Sequence, residues 1–225
     1  MNRKLLTVLL LTLPLFAIAQ KKSNVKCDSI TCDYLIWIAV TYPDTGATGD
    51  CIKMIKDTMV AILYDKTPKH KTNFIRLAKE GFFNGTTFHR VIEGFMIQGG
   101  DPNSKDSNPH NDGQGGPGYT VPAEILPELV HKRYAIAAAR MPDQINPNRE
   151  SSGSQFYIVQ NPGGTPQLNG AYTVFGEVIR GFNAVDRIAK QGKDQRDRPI
   201  YNIKMTVWVE QIPRKTITEK YGYVY

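Results

Sequence analysis

The sequence predicts a mainly β fold that carries two helices. Short runs rich in β-branched and aromatic residues recur along the chain, among them YLIWIAV, QFYIV and MTVWVEQ. Turn chemistry separates them, with 19 glycines and 14 prolines in 225 residues, many gathered in stretches such as PDTGATGD and GQGGPG. Only two stretches repeat apolar residues at helical spacing. A hydrophobic content of 41% supports a buried core and excludes a disordered chain. The length fits one large domain or two small ones, and there is no internal repeat.

The first residues have the form of an export signal. Arg3 and Lys4 supply the charge, residues 5–16 an apolar run broken by Pro14, and Ala17-Ile18-Ala19 a small-x-small cleavage site before Gln20. The apolar run is shorter than the roughly 20 residues a spanning helix needs. No cysteine follows the cleavage site to take a lipid. A cleaved leader over residues 1–19 is therefore expected, with a periplasmic or secreted mature chain that has no stable membrane insertion. The formal charge of +7 falls to about +5 once Arg3 and Lys4 leave with the leader. The basic residues are dispersed and not interleaved with aromatics, which fits a solvated surface and no nucleic-acid partner.

Residues 20–33 are polar and hold two of the three cysteines, the composition of a linker. Residues 34–42, YLIWIAVTY, are the strongest strand candidate, and residues 43–50 a turn-rich loop. Residues 51–55 and 58–64 form a hairpin-like pair around Lys56-Asp57. Which of these three runs opens the sheet is left open by the pattern. The first helix begins at Thr67 as N-cap, with Pro68 at the first helical position. Phe74, Leu77 and Ala78 recur at helical spacing, and Gly81 ends the helix. Asn84-Gly85 is a turn signal.

Residues 88–101, FHRVIEGFMIQGGD, place two apolar runs around Glu93-Gly94. These are adjacent antiparallel strands, with Met96 and Gln98 on one face and Ile97 on the other. Residues 102–118 form a polar, glycine-rich loop, whose GQGGPG lacks the Lys-Ser/Thr of a phosphate loop. Short strands are expected within residues 119–124, 134–140 and 152–160. The second of these, YAIAAAR, has side chains small enough for a ligand to approach its backbone. Residues 182–190 form the second helix, with Phe182, Val185, Ile188 and Ala189 on its buried face. Residues 200–211 hold the last strand. Residues 213–225 are a tail with three tyrosines among its last five residues.

Metal and nucleophile chemistry find little support. Cys27, Cys32 and Cys51 have neither Cys-x-x-Cys nor zinc spacing, and an incidental or structural role is the simpler reading. In an oxidising compartment two of them could pair, leaving one over. His70, His89, His110 and His131 show no ligand spacing, so no metal is expected. Ser154 lies in GSQ rather than in a nucleophile elbow, and no general base or orienting acid stands out for a hydrolase.

The run FHR…GFM.QGGD resembles, almost letter for letter, the signature of the cyclophilins, the cyclosporin-binding peptidyl-prolyl isomerases. Two further blocks follow in that family's order. SGSQFYIVQ at residues 152–160 resembles its GSQF[FY]I strand, and LNGAYTVFG at residues 168–176 its LDGxHxVFG block. The resemblance covers roughly residues 52–212. It implies a closed eight-stranded antiparallel barrel capped by two helices, with the active groove on the outer wall. It also implies isomerase activity on proline-containing polypeptides, here unfolded exported proteins, by a monomer without a cofactor.

The family's functional positions carry over residue by residue. Arg90 matches the catalytic arginine that donates to the prolyl nitrogen, and Gln98 the amide that orients Arg90 and the substrate carbonyl. Phe95, Met96, Tyr157 and Leu168 match the walls of the proline pocket, and Gln155 a second groove amide. Ala139 and Arg140 match the pair beside which the substrate backbone lies, with Arg140 in place of a common asparagine. Tyr172 stands where many members carry histidine. Gln167 stands where drug-sensitive members carry tryptophan, which argues against tight cyclosporin binding. The competing expectation is a chaperone or scaffold that binds proline segments with little turnover. Such a binder needs the pocket but not Arg90, so the complete set favours the enzyme.

Overall fold

The computed structural model describes residues 27–28, 30–44 and 53–225. The expected leader, most of the linker and Cys51 lie outside the described residues. Chain order gives β1 (Cys32–Pro43), β2 (Met54–Leu63), α1 (Pro68–Lys79), β3 (Phe88–Ile92), β4 (Met96–Gly99) and β5 (Thr120–Val121). There follow β6 (Ala135–Ala138), β7 (Ser151–Ser152), β8 (Phe156–Val159), β9 (Val174–Arg180), α2 (Phe182–Ala189), β10 (Lys204–Pro213) and α3 (Arg214–Tyr221). Single 3-10 turns at Pro102–Lys105 and Pro166–Leu168 interrupt the loops.

Eight strands form one antiparallel sheet in the order β10-β1-β2-β9-β6-β8-β4-β3, while β5 and β7 pair separately. The two edges meet. Met205 N–H donates to Thr86 O at 2.8 Å and Phe88 N–H to Ile203 O at 3.0 Å, so the sheet closes across this short seam. Alternation along each strand divides the side chains between two faces. Ile38, Val91, Ile97 and Ile158 point into the main core, where Phe74 of α1 stacks on Phe83 at 4.6 Å and Val185 and Ile188 of α2 are buried. The opposite face of β4, β6 and β8 carries Met96, Ala137 and Tyr157 in a second apolar layer on the outer wall.

Several expectations are corrected. The pair expected at residues 51–55 and 58–64 is, over its described part, the single strand β2, with Lys56 and Asp57 inside it. The twelve-residue β1 pairs with β2 from Leu35↔Ile62 to Pro43↔Met54, and this long partner carries the ladder through the polar residues. The last strand starts at Lys204, and Ile200 and Tyr201 are exposed before it. Phe182 does not join the buried face of α2; it stacks on Tyr134 at 4.6 Å, and Ala184 is buried instead.

The ends of the chain also differ from a linker and a tail. Cys27 and Cys32 are joined in a disulfide, and Cys32 already pairs with Pro213 in the ladder between β1 and β10. Residues after Pro213 form the third helix, α3, whose Ile217 is fully buried against Leu35, Val60 and Ile62. The two expected helices thus become three. The segment RKTITEKY offers one strong apolar anchor, too thin a stripe for periodicity to register.

Candidate active site

The hairpin of β3 and β4 sets Arg90 directly across from Gln98. The glycines that close the signature have a steric reason. A Cβ on Gly100, at φ +88°, would lie 2.3 Å from Ser154 O, and one on Gly99 2.8 Å from Thr87 O. Only glycine lets β4 run this close to its neighbours. Strand β8 then places Tyr157 beside Gln98, while Leu168 and Tyr172 come from the loop that precedes β9.

The result is a cleft of about 150 Å³. Phe95, Met96, Tyr157, Leu168 and Tyr172 form its apolar side, and Arg90 and Gln98 its polar side, with Ala139 and Arg140 completing it. This volume is well below the roughly 300–1,000 Å³ of clefts that hold whole small molecules, and suits a single residue's ring. Nine of the ten predicted site residues line it. The tenth, Gln155, stands behind: its Oε1 accepts from Gln98 Nε2 at 3.0 Å.

A model of the "Cyclophilin type peptidyl-prolyl cis-trans isomerase/CLD" family matches residues 52–210 of the chain. The chain belongs to the cyclophilin type peptidyl-prolyl cis-trans isomerase family. Among its relatives, peptidyl-prolyl cis-trans isomerase CYP18-1 of Arabidopsis thaliana is 38% identical over 152 residues, 66% of this chain and 86% of the relative. Peptidyl-prolyl cis-trans isomerase A of Mycobacterium tuberculosis is 36% identical over 191 residues, 77% of this chain and 92% of the relative. The crystal structure of a Cryptosporidium parvum cyclophilin type isomerase, determined in the presence of the dipeptide Ala-Pro, superposes with a TM-score of 0.59 at 31% identity. It covers 68% of this chain and 92% of its own.

In this cyclophilin the polar side of the cleft rests on residues whose roles the sequence leaves hidden. Buried Asp101 accepts from Asn103 N–H at 2.8 Å, from Gly115 N–H at 3.2 Å, and from Gly113 N–H. The loop it organises turns the Gly113 and Gly115 carbonyls toward Gln155 Nε2, at 3.0 and 2.8 Å. The amide of Gln155 is thereby oriented, and so in turn is that of Gln98. Gln98 bonds to Gln155, and among the described residues no hydrogen bond joins it to Arg90 across the hairpin. Arg90 Nε instead faces Asp197 Oδ2 at 3.8 Å. Asp197 is held in the left-handed region at φ +64°, and its carbonyl accepts from Val91 N–H at 2.8 Å. The sequence marks Asp101 only as the end of the QGGD signature and gives no local signal for Asp197.

The apolar side has its own support. His131 lies behind the wall, stacked on Tyr157 and edge-on to Tyr172. Its main-chain N–H and its Nδ1 both meet Asn169 Oδ1, at 2.9 and 2.8 Å, and its Nε2 meets Tyr157 Oη at 2.9 Å. Because an amide oxygen only accepts, Nδ1 carries the proton and Nε2 accepts from the phenol. Burial holds the His131 pKa below its ordinary value, partly opposed by Asn169. Burial likewise pushes the Tyr157 phenol well up, so both groups are neutral near pH 7.

Arg140 does not reach into the groove as a free charge. Its guanidinium lies over the Tyr172 ring at 4.5 Å, donates to Ala171 O and Met141 O at 2.9 Å each, and pairs with Asp143 at 2.5 Å. Ala139 N–H donates to Gln155 O at 3.0 Å, and Ala139 O accepts from Ser152 N–H at 2.8 Å. The main-chain groups of Ala139 are therefore engaged inside the protein. Among the described residues those of Arg140 take no partner, which makes Arg140 the better placed of the two to pair with an extended peptide. Gln167 is exposed and outside the lining.

A serine, a histidine and a carboxylate do meet elsewhere. His70 Nε2 is 2.9 Å from Ser151 Oγ, and its Nδ1 is 2.7 Å from Glu124. His70 and Ser151 are 4% and 1% exposed, so no substrate reaches them and the arrangement is a structural clamp. The 2.7 Å contact has ion-pair length, yet burial outweighs Glu124 and lowers the His70 pKa. We therefore describe it as a neutral imidazole donating to a carboxylate. Thr67 gives no side-chain cap to α1, its hydroxyl donating to Tyr64 O at 3.3 Å. Glu124 does the capping, accepting from Lys69 and His70 N–H at 3.0 Å each.

Proposed function

We propose that this cyclophilin accelerates rotation about Xaa-Pro bonds in polypeptides exported from the cell, with Arg90 as the catalytic donor. The uncatalysed barrier is about 18–20 kcal/mol because the amide C–N bond has partial double-bond character. In the twisted transition state that conjugation is lost, and the prolyl nitrogen becomes pyramidal with a localised lone pair. A guanidinium N–H aimed at that nitrogen bonds more strongly to the transition state than to the planar ground state, which is what lowers a barrier. The apolar wall of Phe95, Met96, Tyr157 and Leu168 holds the ring away from water, and the main chain of Arg140 holds the flanking peptide. No bond to carbon is made or broken, so no nucleophile or proton shuttle is required.

The observation that carries this reading is Arg90 at the rim of an apolar cleft sized for one ring. Binding alone needs the ring pocket but no donor. The export context is supported by the sequence of residues 1–20 and by a disulfide at Cys27–Cys32, which persists in oxidising compartments. The solvated basic surface and the absence of nucleic-acid motifs make unfolded, proline-containing chains the expected partners. We infer that the protein acts as a monomer.

The deciding experiment measures cis–trans exchange of a short Xaa-Pro peptide by NMR line shape or a protease-coupled assay. Arg90→Ala should lower turnover roughly 10²–10³-fold, the loss seen when one preorganised donor is removed. Arg90→Lys should be nearly as damaging, since an ammonium lacks the planar fork. The guanidinium is 43% exposed, so circular dichroism should show both variants folded. Near-wild-type turnover in Arg90→Ala would refute the mechanism. In the same preparation from the export host, intact mass should place the mature start at Gln20; retained Met1 would refute the cleaved leader.

A further inference from the structure

A second cleft encloses about 500 Å³, roughly three times the volume at Arg90. It forms where the C-terminal residues fold back beside the end of β2. Tyr223 and Tyr225 make one wall, and Tyr64, Leu129 and Val130 another. Asp33 of β1 and Arg214, Tyr223 and Tyr225 of the C-terminal segment lie outside the matched residues 52–210, so this cleft is built partly outside the matched region.

Its chemistry narrows the ligand. The charged groups around it are already paired: Lys66 with Glu128 at 3.2 Å, Lys132 with Glu177 at 2.7 Å and Arg214 with Asp65 at 2.6 Å. Little net charge remains to draw in a phosphate or a metal ion. The Asp33 carboxylate is 2% exposed; its Oδ1 takes Lys71 at 2.6 Å, whereas its Oδ2 accepts no hydrogen bond and has Arg214 at 3.8 Å. Burial raises the phenols of Tyr64 and Tyr225 and takes that of Tyr223 up to about 12, so all three present neutral rings. Neutral aromatic and aliphatic walls, with the surrounding charges paired, suit an apolar or aromatic side chain of a polypeptide segment.

The cleft also shares an apolar layer with the proline site. Tyr64 and Leu129 pack into the same apolar layer as Met96 and Tyr157 of the Arg90 cleft. In the sheet order, β2 lies four strands from β4. At about 4.8 Å per strand this is roughly 19 Å along the wall, or about six residues of extended chain.

We propose that this cleft is a second binding site for the polypeptide whose proline occupies the Arg90 cleft, taking an aliphatic or aromatic side chain about six residues from that proline. The inference rests on the isomerase reading for the identity of its ligand. Two surface variants test it: Val130→Glu, at a residue 44% exposed, and Tyr225→Ala, at one 47% exposed. Their turnover of a short Xaa-Pro tetrapeptide, which cannot span both clefts, should stay within about twofold of wild type. Their Kd for a reduced, carboxymethylated, proline-containing protein, measured by fluorescence anisotropy, should weaken about tenfold or more. An unchanged Kd in both variants would overturn the second site, as would an equal loss on the tetrapeptide and the unfolded protein. If the wild-type protein failed to turn over the tetrapeptide, the isomerase reading would fall, while the Kd comparison would still decide the cleft.

Discussion

Tyr172 stands where the family resemblance leads one to expect an imidazole, and the fold supplies an imidazole to that wall from a different part of the chain. His131 lies edge-on to Tyr172 and accepts from the Tyr157 hydroxyl. It sits behind the wall, 2% exposed, and so acts on Tyr157 rather than on substrate. Among the described residues Asn169, Tyr157 and Tyr172 face its ring, and none of them is a carboxylate that would raise its pKa. Turnover should therefore be flat between about pH 7 and 8, above the range in which a histidine held below its ordinary value of about 6.5 titrates. It should fall in more acidic solution, where protonated Nε2 no longer accepts from Tyr157. Tyr172→Phe should keep activity within about twofold, because Arg140 stacks on the ring and not on the hydroxyl. Tyr172→Ala should raise KM by opening the wall to water. A sigmoidal profile centred near pH 6.5 would mean that an imidazole of ordinary pKa takes part in the reaction.

At the scale of elements, α1 begins without help from its own N-cap side chain. Glu124, more than fifty residues downstream, accepts from two main-chain N–H groups of the first turn and from His70 Nδ1. Burial pushes the Glu124 carboxyl up, but the donors from His70 and Lys69 outweigh it and hold the pKa below its ordinary value. Removing this carboxylate leaves a buried ring N–H and two helix N–H groups unsatisfied. Glu124→Ala should cost about 1–3 kcal/mol in urea unfolding, the range for a buried donor stripped of its acceptor. Glu124→Gln keeps an acceptor oxygen and should cost less. Equal stability of wild type and Glu124→Ala would show that water caps this helix equally well. The same lesson applies to α3. Its eight residues carry a weak apolar stripe, and Ile217 holds it to the outer wall of the sheet.

For the whole molecule, buried histidines set the response to acid. His70, His89 and His131 each have a pKa lowered from 6.5, with burial as the largest cause. At His70 and His89 neighbouring carboxylates oppose the shift without reversing it. In the unfolded chain these groups take up protons near pH 6.5, whereas in the folded protein they do so only at lower pH. The unfolded state thus binds more protons as the solution is acidified, and stability falls. The contribution is complete above about pH 6.5 and is lost as pH drops through the folded values. Glu124 adds a loss of the same sign at lower pH, below its ordinary value of 4.5. The denaturation midpoint should be level between about pH 7 and 8 and decline below about 6.5. A midpoint that rose from pH 7 to pH 5 would show that these histidines are charged in the fold.

The sequence by itself determined the family, the hairpin of β3 and β4, and all nine residues that line the cleft. Those features depend on short-range order. Turn chemistry at Glu93-Gly94 sets the hairpin, the two-residue period of a strand sorts Met96 and Gln98 from Ile97, and glycines at 99 and 100 answer close backbone approach. Only the tertiary structure decided the partners that cross the chain. Asp197 reaches Arg90 from the loop after α2, His131 reaches Tyr157 across 26 residues, and Gln155 proves to brace Gln98 rather than line the cleft. Tertiary packing likewise recruited Phe182 to Tyr134 and turned the terminal tyrosines into the wall of a second cleft. A local pattern records which face of an element is apolar, but a hydrogen bond or an ion pair depends on where two distant backbones bring their side chains. That position is set when the closed sheet is packed, and no short stretch of residues contains it.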